Sequence, residues 1–215
     1  MQCFAYGERE INHLKDRDAV LGRAIDQIGH IDREVNSDLF ESLINCIVGQ
    51  QIATKAHRTI WSRMKMELNA ITPQTIDALS AEELQRFGIS FRKAGYIKNA
   101  AASILSGELD LYTLQGMEDD AVCKQLSGLK GIGRWTAEML MTFSMQRPNV
   151  MSYGDLAIHR GLRMLYHHKR IDKERFEKYR RRYAPYASVA CLYLWAIAGG
   201  AVPGMRDYAP TKSKA

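Results

Sequence analysis

The sequence predicts an all-α protein, a compact bundle of many short helices, and three observations carry that reading. Apolar residues recur at helical spacing along most of the 215-residue chain. No run shows the alternation of a strand, and the breaks between periodic segments are short and marked by glycine, proline and capping residues. Nearly half of the residues are hydrophobic (46%) and a quarter charged (25%), with five prolines and no low-complexity tract, which is the composition of an ordinary globular protein with a sizeable core.

Taken in order, a helical segment is expected over residues 8–36. Ser37 and Asp38 can cap the next helix, in which Leu39, Phe40, Leu43, Ile44, Ile47 and Val48 share a face and Glu41 sits in the first turn, where the helix dipole favours an acid. After Gly49-Gln50-Gln51 a helix carries Ile60, Met64 and Leu68, and Thr72-Pro73 restarts the chain with a cap followed by proline at the first helical position. Ser80-Ala81-Glu82-Glu83 fits a capping box whose helix stops at Gly88, and a further helix runs from about Phe91 to Leu105, ended by Gly107. Helices follow near residues 119–126, 134–145, 155–166, 172–183 and 187–198. Residues 203–215 are expected to form a flexible tail.

Charge and cysteine usage narrow the class. A formal charge of +6 suits a polyanionic partner, and Lys169, Arg170, Lys173, Arg175, Lys178, Arg180, Arg181 and Arg182 crowd into one segment interleaved with Phe176, Tyr179 and Tyr183. That segment reads either as a solvated helix face paired with Glu174 and Glu177 or as a phosphate-facing stripe. Cys3, Cys46, Cys123 and Cys191 are far apart with no C-x-x-C pair, which points to buried free thiols rather than structural zinc or disulfides. The N-terminus lacks a secretory pattern and no apolar run reaches the ~18 residues of a membrane span, so an intracellular protein without a membrane partner is expected.

The most informative stretch is Leu126-Ser127-Gly128-Leu129-Lys130-Gly131-Ile132-Gly133-Arg134-Trp135-Thr136, a Gly-x-Gly turn between two helical patterns. Glycine permits positive φ and a close backbone approach, and the N–H groups that open the next helix face an anion such as a DNA phosphate. Taken alone, the same pattern also describes a plain tight turn. About twenty residues further on, Asp155 opens another helix, where a lone acid is ordinarily a cap.

Together the two segments resemble the helix-hairpin-helix glycosylase superfamily, and other blocks resemble its alkylpurine branch, the 3-methyladenine DNA glycosylase II type. Phe40-Glu41-Ser42-Leu43 through Ile47-Val48-Gly49-Gln50-Gln51-Ile52 is similar to the family's F-E-x-L…I-x-G-Q-Q helix. Gly88-Ile89-Ser90-Phe91-Arg92-Lys93-Ala94-Gly95-Tyr96-Ile97 is similar to its G-x-S-x-x-K-A-x-Y segment. Arg182-Tyr183-Ala184-Pro185-Tyr186-Ala187-Ser188 with Leu192-Tyr193-Leu194-Trp195 resembles the C-terminal W-x-P-[WY]-R-S…Y-L-W block, with Tyr183 and Ala187 in place of the usual tryptophan and arginine.

The resemblance implies two helical lobes, approximately 37–125 and 126–200, with segment 8–36 packing on the latter. It also implies a base-excision enzyme that flips an alkylated purine such as 3-methyladenine out of duplex DNA and hydrolyses its N-glycosidic bond. Asp155 takes the position of the family's catalytic carboxylate and Gln51 that of the intercalating wedge. Trp135 and Trp195 fall at positions that cage the base, with Met139, where the bacterial type member has an aromatic, and Tyr153 completing the pocket. Lys130, Gly131, Gly133, Arg134 and Thr136 fall in the phosphate-binding hairpin. The carbonyls of Ser127, Leu129 and Ile132 are candidate ligands for a Na+ or K+ ion. No iron–sulfur cluster is expected, since only Cys191 lies near the C-terminus.

A monomer with duplex DNA as partner is expected. Two alternatives are a bifunctional glycosylase/lyase for oxidised bases, disfavoured because Trp135 stands where those enzymes use a lysine, and a non-catalytic DNA-binding module in which Asp155 is only a cap.

Overall fold

A computed structural model gives the structure of residues 2–210. In chain order the elements are β1 (Gln2–Cys3), α1 (Glu8–Arg17), α2 (Ala19–Ile28), β2 (Glu34–Val35), α3 (Leu39–Gly49), α4 (Thr54–Leu68), α5 (Pro73–Asp77), α6 (Ala81–Arg86), α7 (Phe91–Leu105) and a 3-10 turn at Thr113–Gly116. Then come α8 (Asp119–Gly128), α9 (Arg134–Phe143), α10 (Leu156–Tyr166), α11 (Lys173–Tyr183) and α12 (Ala187–Ala198). The all-α class holds. The strands are a two-residue antiparallel pairing of Gln2 with Val35 and Cys3 with Glu34, too short to show alternation in sequence.

Local chemistry sets the helix boundaries. Asp38 Oδ1 accepts from Glu41 N at 2.8 Å and starts α3. Ser80 and Glu83 form the reciprocal capping box of α6, with Glu83 Oε2 taking Ser80 N at 2.7 Å and Ser80 Oγ taking Glu83 N at 3.1 Å. Segment 8–36 is not one helix. Asp18, in extended backbone, ends α1 and caps α2 by accepting from Val20 N and Leu21 N at 3.0 Å each. A side chain that prefers the backbone N–H groups of the following turn interrupts a helix at that point.

The chain divides into two compact units, one holding Asn36–Met145 and the other the described residues up to Val35 together with those from Gln146 on. The boundary differs from the expected one near residue 125. Leu126, Leu129 and Ile132 are buried, and the hairpin residues 126–145 group with α3–α8 in one unit. The core of the 36–145 unit gathers Leu43, Ile44, Ile47 and Val48 of α3 with Met64, Ile76, Leu84, Ile97, Leu126 and Ala137.

In the other unit, α10 packs on α12, and both pack on α2. Its largest buried side chains include Tyr183, Tyr193 and Phe176. At its centre Asp18, 4% exposed, accepts from the Tyr166 hydroxyl at 2.7 Å and from Arg182 Nη1 at 2.6 Å, and Tyr166 and Tyr183 share a 2.6 Å O–H···O bond. Burial alone would raise the Asp18 carboxyl, but the Arg182, Leu21 and Tyr166 hydrogen bonds outweigh it and hold it below its ordinary value. Arg182, counted above among the basic side chains of segment 169–182, is thus a structural partner. Arg180 likewise pairs with Glu177 at 2.7 Å.

The tail also differs from expectation. Of residues 203–215, 211–215 lie outside the described residues. Within the rest, Asp207 takes two bonds from Arg163, at 2.7 and 2.6 Å, and Tyr208 packs on His167. Val202, just before, is buried. A bidentate pair on α10 holds this segment, which sequence composition does not reveal.

Candidate functional site

The hairpin is α8, the turn 129–133 and α9. Leu129 and Ile132 are its buried anchors, and Ile132 N donates to Leu129 O at 3.1 Å to close the turn. Only Gly131 uses the left-handed region, with φ +86, and a Cβ there would overlap the Tyr96 ring, so both conformation and space demand glycine. Gly133 is the N-cap of α9 and offers no side chain to its first turn, and the backbone N–H groups of a helix start favour an anion. Lys130, Gly131, Gly133 and Arg134 are exposed, while Thr136 is buried. Arg134 Nε also pairs with Glu138 at 2.9 Å, one turn along α9.

At the end of α3 the chain turns through Gln50 and Gln51. Gln51 is exposed with φ +54, so its side chain leaves the helix path. Its neighbour Gln50 reaches out of the turn, and its Nε2 donates to Gly131 O at 2.8 Å. The sequence motif includes Gln50, but its partner lies 81 positions away.

Asp155 caps α10. Its Oδ1 accepts from Ala157 N and Ile158 N at 2.9 Å each, its own N–H reaches Ser152 O at 3.3 Å, and the residue is 6% exposed. The start of a helix favours a carboxylate, and burial raises the effect of its charge on anything brought beside it. The loop that delivers it is stapled to α12 by Ser188. That hydroxyl takes Val150 N at 2.9 Å and donates to Arg147 O at 2.6 Å, while Ser188 N donates to Pro148 O at 3.0 Å. On the other side His159 Nε2 bonds Tyr153 O at 2.8 Å, and its ring stacks on Phe176. Ser188 is visible in the sequence only as a motif letter, and His159 carries no expectation at all. The signal for Ser188 is a loop whose backbone groups, Val150 N among them, needed partners once packed.

The expected pocket residues are carried on separate elements. Trp135 and Met139 lie one turn apart on α9, the tryptophan 49% exposed and the methionine half-buried. Tyr153, 44% exposed, precedes Asp155, and its ring meets His159 and Phe176 edge-on. Trp195 is half-buried on α12, in the same unit as Asp155. The candidate cation ligands Ser127 and Leu129 sit at the end of α8, with Ile132 in the turn. Leu129 O already accepts from Ile132 N, and a carbonyl oxygen keeps a second lone pair, so uncharged carbonyls of this kind suit at most a weakly held monovalent ion.

Three comparisons bear on this arrangement. A crystal structure of DNA-3-methyladenine glycosidase from Bacillus halodurans superposes with a TM-score of 0.86 at 34% identity, covering 97% of each chain. The Schizosaccharomyces pombe 3-methyladenine DNA glycosylase in complex with abasic DNA gives a TM-score of 0.77 at 30% identity, covering 89% of this chain and 97% of that one. By sequence, DNA-3-methyladenine glycosylase 1 of S. pombe is 33% identical over 161 residues, 73% of this chain and 71% of the relative. Residues 44–185 match the family described as HhH-GPD superfamily base excision DNA repair protein, and this chain belongs to that family.

Proposed function

We propose that the chain is a monofunctional DNA glycosylase that releases alkylated purines such as 3-methyladenine from duplex DNA and leaves an abasic site. The observation that carries the reading is Asp155, a nearly buried carboxylate held at the start of α10 by backbone N–H groups, in a chain of this repair family. Its relatives from S. pombe and B. halodurans are named for 3-methyladenine.

The chemistry follows from the substrate. A stacked base is out of reach, so the nucleotide must rotate out at a cost of a few kcal/mol, least for damaged or mispaired bases. The hairpin grips the phosphates through Lys130, Arg134 and the backbone at Gly131, Gly133 and Thr136, and Gln51 fills the gap. A purine alkylated at N3 or N7 is cationic, and Trp135, Trp195, Met139 and Tyr153 are the side chains we assign to its recognition, the tryptophans through their electron-rich faces.

The C1′–N bond then breaks with its electron pair leaving on the base, whose charge is neutralised, while positive charge builds on the sugar. Asp155 stabilises that charge and orients the water whose oxygen bonds to C1′, the water's proton passing to solvent. A Na+ or K+ ion held by the Ser127, Leu129 and Ile132 carbonyls would supply positive charge against a phosphate. Trp135 stands where a bifunctional enzyme carries its Schiff-base lysine, so no amine is supplied at that position and the strand stays intact. The protein acts as a monomer on genomic DNA inside the cell.

The test is a set of labelled duplexes carrying 3-methyladenine, 7-methylguanine, ethenoadenine or hypoxanthine, with released bases identified. Release of a methylated purine, with strand scission only after heat or alkali, is expected. No base release, or nicking without such treatment, would overturn the reading.

A further inference from the structure

Two turns that face DNA in the reading above are joined within the 36–145 unit by a side chain to which no role is attached. Gln50 is the C-cap of α3, and its own N–H already closes the helix on Ile47 O at 3.3 Å. Its amide is therefore not needed for the cap, and instead Nε2 donates to Gly131 O at 2.8 Å. Both turns also lean on α7. Lys93, 9% exposed, donates from Nζ to Val48 O at 2.8 Å, at the end of α3, and burial holds its amine below the ordinary lysine value. Tyr96, on the same face of α7, lies against Gly131 and fills the space a Cβ would need. Three contacts thus hold the end of α3, the hairpin turn and α7 in one triangle, with the Gln50 amide as its exposed side.

We propose that Gln50 is a positioning residue that ties the Gln51 turn to the hairpin, so that the side chain entering the duplex and the backbone gripping the phosphate move as one body. The inference rests on the glycosylase reading and on Gln51 as the wedge. A wedge helps extrude a nucleotide only if its place relative to the gripped strand is fixed, because a turn free to swing cannot pass phosphate binding energy to the base step. Glutamine has the reach and the donor for a carbonyl. Glutamate has the same size, but its ionised carboxylate only accepts and would repel the Gly131 oxygen, whereas methionine keeps the volume and removes the bond.

The experiment compares single-turnover base release by the full chain from two duplexes, one with 7-methylguanine paired to cytosine and one with the same lesion opposite an abasic analogue, where extrusion is cheap. For both Gln50→Glu and Gln50→Met, release from the paired duplex is expected to fall about 10-fold, the worth of one lost hydrogen bond. Release from the unpaired duplex, and affinity for undamaged DNA, should stay within about 2-fold, since the phosphate contacts are untouched. Equal slowing on both duplexes, or wild-type rates on both, overturns the inference alone. Wild-type protein that releases no base from either duplex overturns the glycosylase reading and this inference with it.

Discussion

Gly161 on α10 lies so close to the Leu194 carbonyl on α12 that a Cβ would overlap the oxygen. The contact matters because α10 begins at Asp155 and the residue after Leu194 is Trp195. The spacing between the two helices is therefore set by backbone against backbone. Gly161→Ala is expected to destabilise the fold by about 1–3 kcal/mol, the cost of forcing an extra methyl into a packed interface, and to slow base release as well. Urea unfolding and single-turnover release measure the two effects. An alanine variant as stable as wild type would show that the helices part without cost.

Asp155→Asn separates capping from charge. Asparagine caps a helix about as well as aspartate, so the bonds to Ala157 N and Ile158 N can persist and the melting temperature should barely move. Base release should nevertheless fall by about 10²-fold or more, the usual worth of such a group, while duplex affinity is kept. Retained activity would remove Asp155 from the chemistry.

Ser188 is fully buried and bonded to both ends of the 147–150 segment. Ser188→Ala leaves Val150 N and Arg147 O in the interior without that hydroxyl, a loss of about 2–3 kcal/mol. Since the same loop leads to Asp155, kcat should drop more than KM rises. A loss of stability with unchanged kcat would make Ser188 structural only.

Arg182→Met removes the guanidinium from a buried Asp18. Because the arginine side chain is itself about a third exposed (32%), the loss at neutral pH is placed at about 2–3 kcal/mol, below the value for a wholly buried pair. The Asp18 carboxyl is held below its ordinary value, burial being outweighed by its hydrogen bonds. Its contribution is thus present above the unfolded carboxylate range, near ~3.9, and is lost as pH falls through the depressed folded value. The gap between variant and wild type in denaturant midpoint should therefore close in acid, and a gap constant with pH would count against the pair.

Burial lowers the imidazole pKa of His57, His159 and His168. Below about pH 6.5 the unfolded chain takes up protons that the folded chain refuses, so stability should fall with pH from there down to the depressed folded values. His159→Gln keeps a donor for Tyr153 O but cannot titrate, and its denaturant midpoint should depend less steeply on pH between 7.5 and 5.5. An unchanged slope would exclude His159 from the effect.

Much of the local structure around the candidate site was legible in the chain itself. The Gly131 turn, the Asp38 and Ser80 caps, and Asp155 at the head of a helix are written in residues a few positions apart, and the structure places them there. The Gln50 bond to Gly131, the Ser188 staple and the Gly161 contact were not. Each joins groups far apart in sequence, and a glutamine, a serine or a glycine has many possible partners until the fold presents one.

Most of the helices from α3 on, with their caps, came from the sequence by itself, because caps, turns and apolar periodicity act within one or two helical turns, whereas the break at Asp18 did not. Only the tertiary structure decided that the hairpin packs with α3–α8, that Asp18 rather than solvent claims Arg182, and that Arg163 holds Asp207 instead of leaving a loose tail. Those outcomes depend on which buried surfaces and unsatisfied polar groups meet once the chain has closed on itself, and no local pattern records that meeting.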